Sequence, residues 1–280
     1  MKFLDIFAGI GGFRLGLERA GHECVGHVEI DKFANRSYDA IYRPGKEEFF
    51  HNDITKLTDE HVRQLKELRI DLITGGFPCQ AFSIAGKRAG FEDTRGTLFF
   101  DIARMARVIR PSYLFLENVT GLLSHEGGDT FETILRTLDE LGYDTEWQVL
   151  NSKDFGVPQN REREFIVGHL RPWGGTRVFP IQERTKEVDE IELQERPGAN
   201  IAPIFTVSMP ESTRRDIASR YAFRDLTPKE YFRLQGFPDW AFDRAKAAGV
   251  SDSQLYKQAG NAVTVNVIES IAKKLRIEEV

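Results

Sequence analysis

Cysteine is scarce in this chain: Cys24 and Cys79 are two among 280 residues. Two distant thiols make neither a disulfide framework nor a zinc site, and a reducing, cytosolic compartment is expected. Long apolar runs are also missing. Asp5 interrupts the first apolar stretch early, so neither a bilayer-crossing segment nor a signal peptide is read. Positive charge is not in excess: 38 Lys and Arg stand against 43 Asp and Glu, a formal net charge of −5. Net charge therefore gives no global support for a polyanionic partner, and only a local basic face would supply it. No internal repeat and no low-complexity tract is found. What remains is 41% hydrophobic and 29% charged, the balance of a soluble globular protein of one or two domains.

The most informative stretch is Gly75-Gly76-Phe77-Pro78-Cys79-Gln80. It follows Ile70-Asp71-Leu72-Ile73-Thr74, which reads as a buried strand. Two glycines and a proline then offer a thiol on a loop at the strand's C-terminal end, where open α/β sheets bind ligands. Cys79 is a candidate nucleophile; the plain alternative is a small residue at a tight turn.

The N-terminus reads as strand, glycine-rich turn and helix: Lys2 to Phe7, Ala8-Gly9-Ile10-Gly11-Gly12-Phe13, then Arg14 to Ala20. Such a turn lets backbone approach a ligand. A second strand, Glu23 to Ile30, ends in Glu29, about twenty residues on, the spacing that sets a carboxylate on ribose hydroxyls. Its alternative is an acidic helix cap. Asp53 is either an acceptor for an adenine amino group or the cap of a helix over about Thr58 to Leu68. The Gln80–Gly96 segment reads as a basic, glycine-bearing loop able to close over a substrate. A further strand, Ser112 to Leu116, ends in Glu117-Asn118-Val119, and Glu117 is a candidate general acid. Arg161 and Arg163 alternate along one strand face; the competing reading is a surface ion-pair ladder with Glu162 and Glu164. A Thr227-capped helix with Pro228 in its first turn follows the irregular Arg171–Asp225 region. A closing helix is expected over about Thr264 to Leu275.

Together these stretches resemble the DNA (cytosine-5)-methyltransferase family. The motifs come in family order: Asp5 to Phe13, Gly76-Phe77-Pro78-Cys79-Gln80, Glu117-Asn118-Val119, Gln159-Asn160-Arg161-Glu162-Arg163, Arg233-Leu234-Gln235-Gly236-Phe237-Pro238 and Gln258-Ala259-Gly260-Asn261-Ala262-Val263. The resemblance implies an α/β, Rossmann-like S-adenosylmethionine-dependent methyltransferase sheet with helices on both faces, plus a small second region. Residues 1–170 and 226–280 would form the catalytic and cofactor-binding domain, and 171–225 a reduced target-recognition region. It implies Cys79 as the thiolate adding to cytosine C6, Glu117 at ring N3, and Arg163 at O2 with Arg161 close by. Cofactor contacts would come from Phe7, Glu29, Ile30, Asp53, Pro78, Leu98 and Asn261, with Gly9, Gly11, Gly12, Ile54 and Ala262 beside them. Gln80, Ser83 and Asn118 would touch substrate. The expected cofactor is S-adenosyl-L-methionine, released as S-adenosyl-L-homocysteine, and no metal is expected.

The implied partner is double-stranded DNA, whose target base is flipped out. The basic loop and Arg171, Arg177, Arg214, Arg215 and Arg220 are expected on the DNA side. The setting implied is the cytoplasm of a bacterial or phage-infected cell, as a monomer, either solitary or beside a cognate restriction endonuclease. Two alternatives stay open on the same scaffold: a tRNA cytosine-5 methyltransferase, and a catalytically silent DNA-binding or regulatory member.

Overall fold

The protein is seen in a computed structural model that describes residues 1–78, 98–171, 177–181 and 226–276. Cys79, Gln80, Ser83, the basic loop, Arg214, Arg215 and Arg220 lie outside the described residues.

A seven-stranded sheet forms the centre, in the order β3-β2-β1-β4-β5-β7-β6. The strands are β1 (Lys2–Ile6), β2 (Glu23–Val28), β3 (Phe49–His51), β4 (Leu72–Gly76), β5 (Tyr113–Val119), β6 (Tyr143–Asn151) and β7 (Glu162–Leu170). The first five pair in parallel, and β7 runs antiparallel to both β5 and β6. Phe3, Leu4 and Ile6 of β1 are wholly buried, the near-continuous apolar run of a strand covered on both faces. Asp5 is the exception. It is fully buried and accepts the Thr74 hydroxyl at 3.2 Å, and burial pushes its carboxyl up to about 7.

Helices α1 (Gly12–Arg19), α2 (Lys32–Tyr42), α3 (Asp59–Glu67), α4 (Leu98–Ile109) and α5 (Asp129–Glu140) alternate with the strands. The C-terminal segment adds α6 (Pro228–Leu234), α7 (Asp239–Ala247), α8 (Asp252–Asn261) and α9 (Val265–Ala272). Local chemistry sets their starts. Asp31 accepts the Phe33 amide to cap α2, and Thr58 and Thr227 head capping boxes on α3 and α6.

One sheet face packs on α3, α4 and α5 through Leu65, Ile102 and Ile134. The other packs on α1 and α9 through Phe13, Leu17, Ile268 and Ile271. The first and last helices thus close one core together. A third cluster joins α2 to α6, α7 and α8 around Ile41, Phe232, Ala241 and Leu255. Helices on both faces are as expected, and α7 and α8 are additions that the sequence reading did not assign.

From β1 the sheet grows one way to β2 and β3 and the other way to β4 and β5. The crevice at this reversal, outside the carboxyl ends of the strands, is where such sheets take ligands. Among the described residues no helix is long and apolar enough to cross a membrane, and no cluster of metal-ligating side chains occurs.

Candidate active site

At that crevice lies a cavity of about 560 Å³, within the range of small-molecule sites. The ends of β1, β2, β4 and β5 supply its floor. Phe7, Gly9, Glu29, Ile30, Asp53, Ile54, Pro78, Leu98, Glu117, Asn118, Arg161, Arg163, Asn261 and Ala262 all line it. One space therefore joins the residues expected at the cofactor to those expected at the base.

The end expected to take the cofactor is built on backbone. Phe7 ends β1 with φ of 55°, a left-handed conformation that side-chain-bearing residues avoid unless the surroundings enforce it. The Gly9 amide donates to Glu29 Oε2 at 2.7 Å, and the Asp31 amide to Oε1 at 2.7 Å. The Asn35 side-chain amide holds the Glu29 carbonyl at 2.7 Å. The helix cap is Asp31 rather than Glu29, and the ion pair with Lys257 at 2.8 Å holds the Asp31 carboxyl below its ordinary range. Asp53 caps a short 3-10 turn (Ile54–Lys56), not α3, and accepts from the Thr55 amide and hydroxyl.

Gly11 and Gly12 do not line the cavity. Their missing side chains serve protein contacts instead. A Cβ on Gly11, where φ is 78°, would sit 2.3 Å from the Tyr42 ring, and one on Gly12 would sit 2.7 Å from the Val263 side chain.

The other end is charged, with a buried acid beside two partly buried arginines. Glu117 is 8% exposed, and Arg163 Nε stands 3.1 Å from its Oε1. A Cβ on Gly76 would meet Glu117 Oε2 at 3.0 Å, so β4 can lie flat under this carboxylate because Gly76 has none. Burial raises the Glu117 carboxyl above its ordinary range, against the opposing pull of Arg163 and Arg161. Arg161 donates to the Ala262 carbonyl at 3.0 Å, and burial together with Arg163 lowers its guanidinium to about 10. Asn118 donates to the Phe77 carbonyl at 2.9 Å, fixing the chain two residues before Cys79.

One expectation is corrected, and one competing reading is set aside. Arg171 does not face the crevice. It follows Leu170, at the end of the sheet where β5 begins, and pairs with Asp139 at 2.9 Å and Asp144 at 3.1 Å. The ion-pair ladder around Arg163 does not form either. Glu162 is exposed, but Glu164 is fully buried and both its carboxylate oxygens lack a partner among the described residues. Residues that sequence reasoning missed include Asn35 and Lys257, whose roles arise from contacts across the fold with no local signature.

The model of the C-5 cytosine-specific DNA methylase family matches residues 1–197 and 182–276. The type II methyltransferase M.HpaII of Haemophilus parainfluenzae is 36% identical over 328 residues, covering 98% of this chain and 88% of the relative. M.HhaI of Haemophilus parahaemolyticus is 33% identical, covering 97% and 93%. Among solved structures, the Dnmt2 methyltransferase of S. pombe superposes with a TM-score of 0.71 at 20% identity, covering 98% of this chain and 97% of that one, a likeness of fold. With the family's matched segments spanning nearly the whole chain, and a crevice that joins a buried acid to two arginines, this protein belongs to the C-5 cytosine-specific DNA methylases, enzymes that use S-adenosylmethionine.

Proposed function

We propose that the chain methylates C5 of a flipped-out cytosine in duplex DNA, with Cys79 as transient nucleophile and Glu117, Arg161 and Arg163 around the base. The single observation carrying this reading is the pairing of the buried Glu117 with Arg163, opening into the same cavity as Glu29.

The cavity fits the cofactor. Each Glu29 oxygen accepts one backbone amide and keeps a lone-pair direction for a ribose hydroxyl. Asp53 stands ready for the adenine amino group. Phe7, Ile30, Ile54, Pro78 and Leu98 give apolar walls, which accounts for an isoleucine at position 30 that is 71% exposed. Bound there, S-adenosylmethionine supplies an electrophilic methyl group.

The protein's part is to make C5 electron-rich. The Cys79 thiolate adds to C6 while the Glu117 carboxyl delivers a proton or hydrogen bond at N3, and Arg163 donates to O2. A carboxyl raised by burial keeps its proton closer to neutral pH, as a general acid needs. C5 so activated would be the nucleophile toward the methyl group that the bound cofactor would present, with S-adenosyl-L-homocysteine as the leaving product. Loss of the C5 proton to solvent, return of the N3 proton to Glu117 and expulsion of the thiolate restore the aromatic ring. Asn118 acts on substrate and holds the Phe77 carbonyl, while Gln80 and Ser83 meet the base and phosphates.

Residues 1–170 and 226–280 make the catalytic unit in this reading, and 171–225 a reduced recognition region. In support, the two matched family segments overlap at 182–197, and the alignment with M.HpaII runs over 328 positions against a chain of 280. The relatives' type II names support a role in restriction-modification, with a cognate endonuclease as functional partner, in the cytoplasm of a bacterial or phage-infected cell. The enzyme works as a monomer.

The test is bisulfite sequencing of duplex DNA treated with purified protein and S-adenosylmethionine. Methylcytosine in one recurring context is expected, and none with Cys79→Ala. Methyl transfer that persists in that variant, or that goes to tRNA and not to DNA, would sink the assignment.

A further inference from the structure

A line of four neutral polar side chains, three of them buried and none lining the cavity, joins the segment between β6 and β7 to the C-terminal helices. The Gln235 side-chain amide donates to Gln159 Oε1 at 2.7 Å. Its Oε1 accepts the Thr264 hydroxyl at 3.0 Å. Thr264 Oγ1 lies 2.8 Å from the Ser152 hydroxyl. Gln235, Thr264 and Ser152 are 1%, 3% and 3% exposed.

The donors can be assigned by counting protons. Thr264 and Ser152 each have one hydroxyl hydrogen. If Thr264 gives its proton to Gln235, Ser152 gives its own to Thr264, and no buried oxygen in the line is left bare. The Arg161 carbonyl, 3.2 Å from the Ser152 hydroxyl, is already served by the Ser152 amide at 3.0 Å. The line therefore runs one way: Ser152 to Thr264 to Gln235 to Gln159.

Thr264 is the N-cap residue of α9, yet its hydroxyl makes no cap hydrogen bond. A threonine there ordinarily accepts a first-turn amide. Here that option is given up in favour of the line. Gln235 is pinned from the same helix, since the Val265 amide donates to its carbonyl at 2.9 Å. At the far end, Gln159 is two residues before Arg161, whose amide is held by Asn151 at 3.1 Å. Both ends of the β6–β7 turn are thus tied to α6 and α9.

We propose that Thr264 and Gln235 are positioning residues for methyl transfer, setting the β6–β7 turn so that Arg161 and Arg163 bear on Glu117. The inference rests on the roles given to those three residues above. It assigns a catalytic task to the C-terminal segment beyond its packing on the sheet.

The experiment uses the full chain on duplex DNA, with Thr264→Val, which keeps shape and loses the hydroxyl, and Thr264→Ser, which keeps the hydroxyl. Ser152→Ala cuts the same line from its other end with a smaller change. Turnover, KM for S-adenosylmethionine and tritium release from C5 of labelled cytosine are measured on protein shown to be folded by cofactor binding. In Thr264→Val and Ser152→Ala, kcat and tritium release fall about tenfold or more, as for a misplaced reacting group, while KM for the cofactor stays within about twofold. Thr264→Ser returns to within about threefold of the native kcat. Native kcat in both hydroxyl-less variants, or equal losses in Thr264→Ser and Thr264→Val, overturns the proposal. Glu117→Gln is the reference. If it retains native turnover, the site assignment has failed; if it is inactive while the hydroxyl-less variants are native, only the positioning line is refuted.

Discussion

Glu164 gives the most quantitative test of this structure. Its carboxyl is fully buried on β7, opposite Asn118 on β5 and Val149 on β6, and no described group bonds to either oxygen. Burial alone pushes it from 4.5 to about 7. At about 1.4 kcal/mol per unit, a carboxyl so displaced costs the fold about 3 kcal/mol at pH 7 and above, a sizeable part of ordinary domain stability. The sign follows from proton binding. Between pH 4.5 and 7 the unfolded chain releases this proton while the folded chain keeps it, so stability falls as pH rises. Below 4.5 both states are protonated and the cost vanishes. Glu164→Leu removes the carboxyl and Glu164→Gln keeps its shape without the charge. In urea unfolding, the gain of Glu164→Gln over the native chain should grow from pH 4.5, level off near pH 7, and amount to about 2–3 kcal/mol there. Glu164→Leu should show the same pH trend with its own packing offset. The buried Asp5 titrates in all three proteins and cancels from the differences. A gain that does not change between pH 5 and 8 would refute the reasoning.

Three further outcomes follow from the site. Arg163→Met removes the guanidinium that opposes burial at Glu117, so the Glu117 titration moves upward in NMR, and methyl transfer falls about a hundredfold or more with the lost electrostatic contact. An unmoved titration would deny the 3.1 Å pairing. Gly76→Ala brings a methyl to 3.0 Å from Glu117 Oε2; turnover drops while cofactor affinity, measured calorimetrically, holds. Gly11→Ala meets the Tyr42 ring at a positive φ and should lower stability by about 1–3 kcal/mol in urea unfolding, with an unchanged midpoint counting against the tight turn.

Local signals made much of this legible before any coordinates. The strand, glycine turn and helix at the N-terminus, Glu29 at the end of β2 and Glu117 at the end of β5 all announce themselves through runs, glycines and terminal acids. What escaped depends on partners distant in sequence. Glu164 sits in Arg161-Glu162-Arg163-Glu164, an alternation that reads as solvated, and only the sheet shows that β7 is buried continuously from Glu164 onward. Arg171 offered a charge but no hint of which end of the sheet it would reach. Gln235 belongs to one of the sequence motifs, yet its bond to Gln159 spans 76 residues. Gly11 and Gly12 read as places where backbone can approach a ligand, and the closeness of Tyr42 and Val263 to them has no local signature.

The pairing of α1 with α9 has a consequence for synthesis. A ribosome delivers Phe13 and Leu17 early, but Ile268 and Ile271, which cover them, arrive some 250 residues later. Through that interval the nascent sheet has one greasy side bare, a surface open to chaperones and to aggregation. A product cut off before Thr264 would lose the cover and, with it, the threonine proposed to brace the arginines.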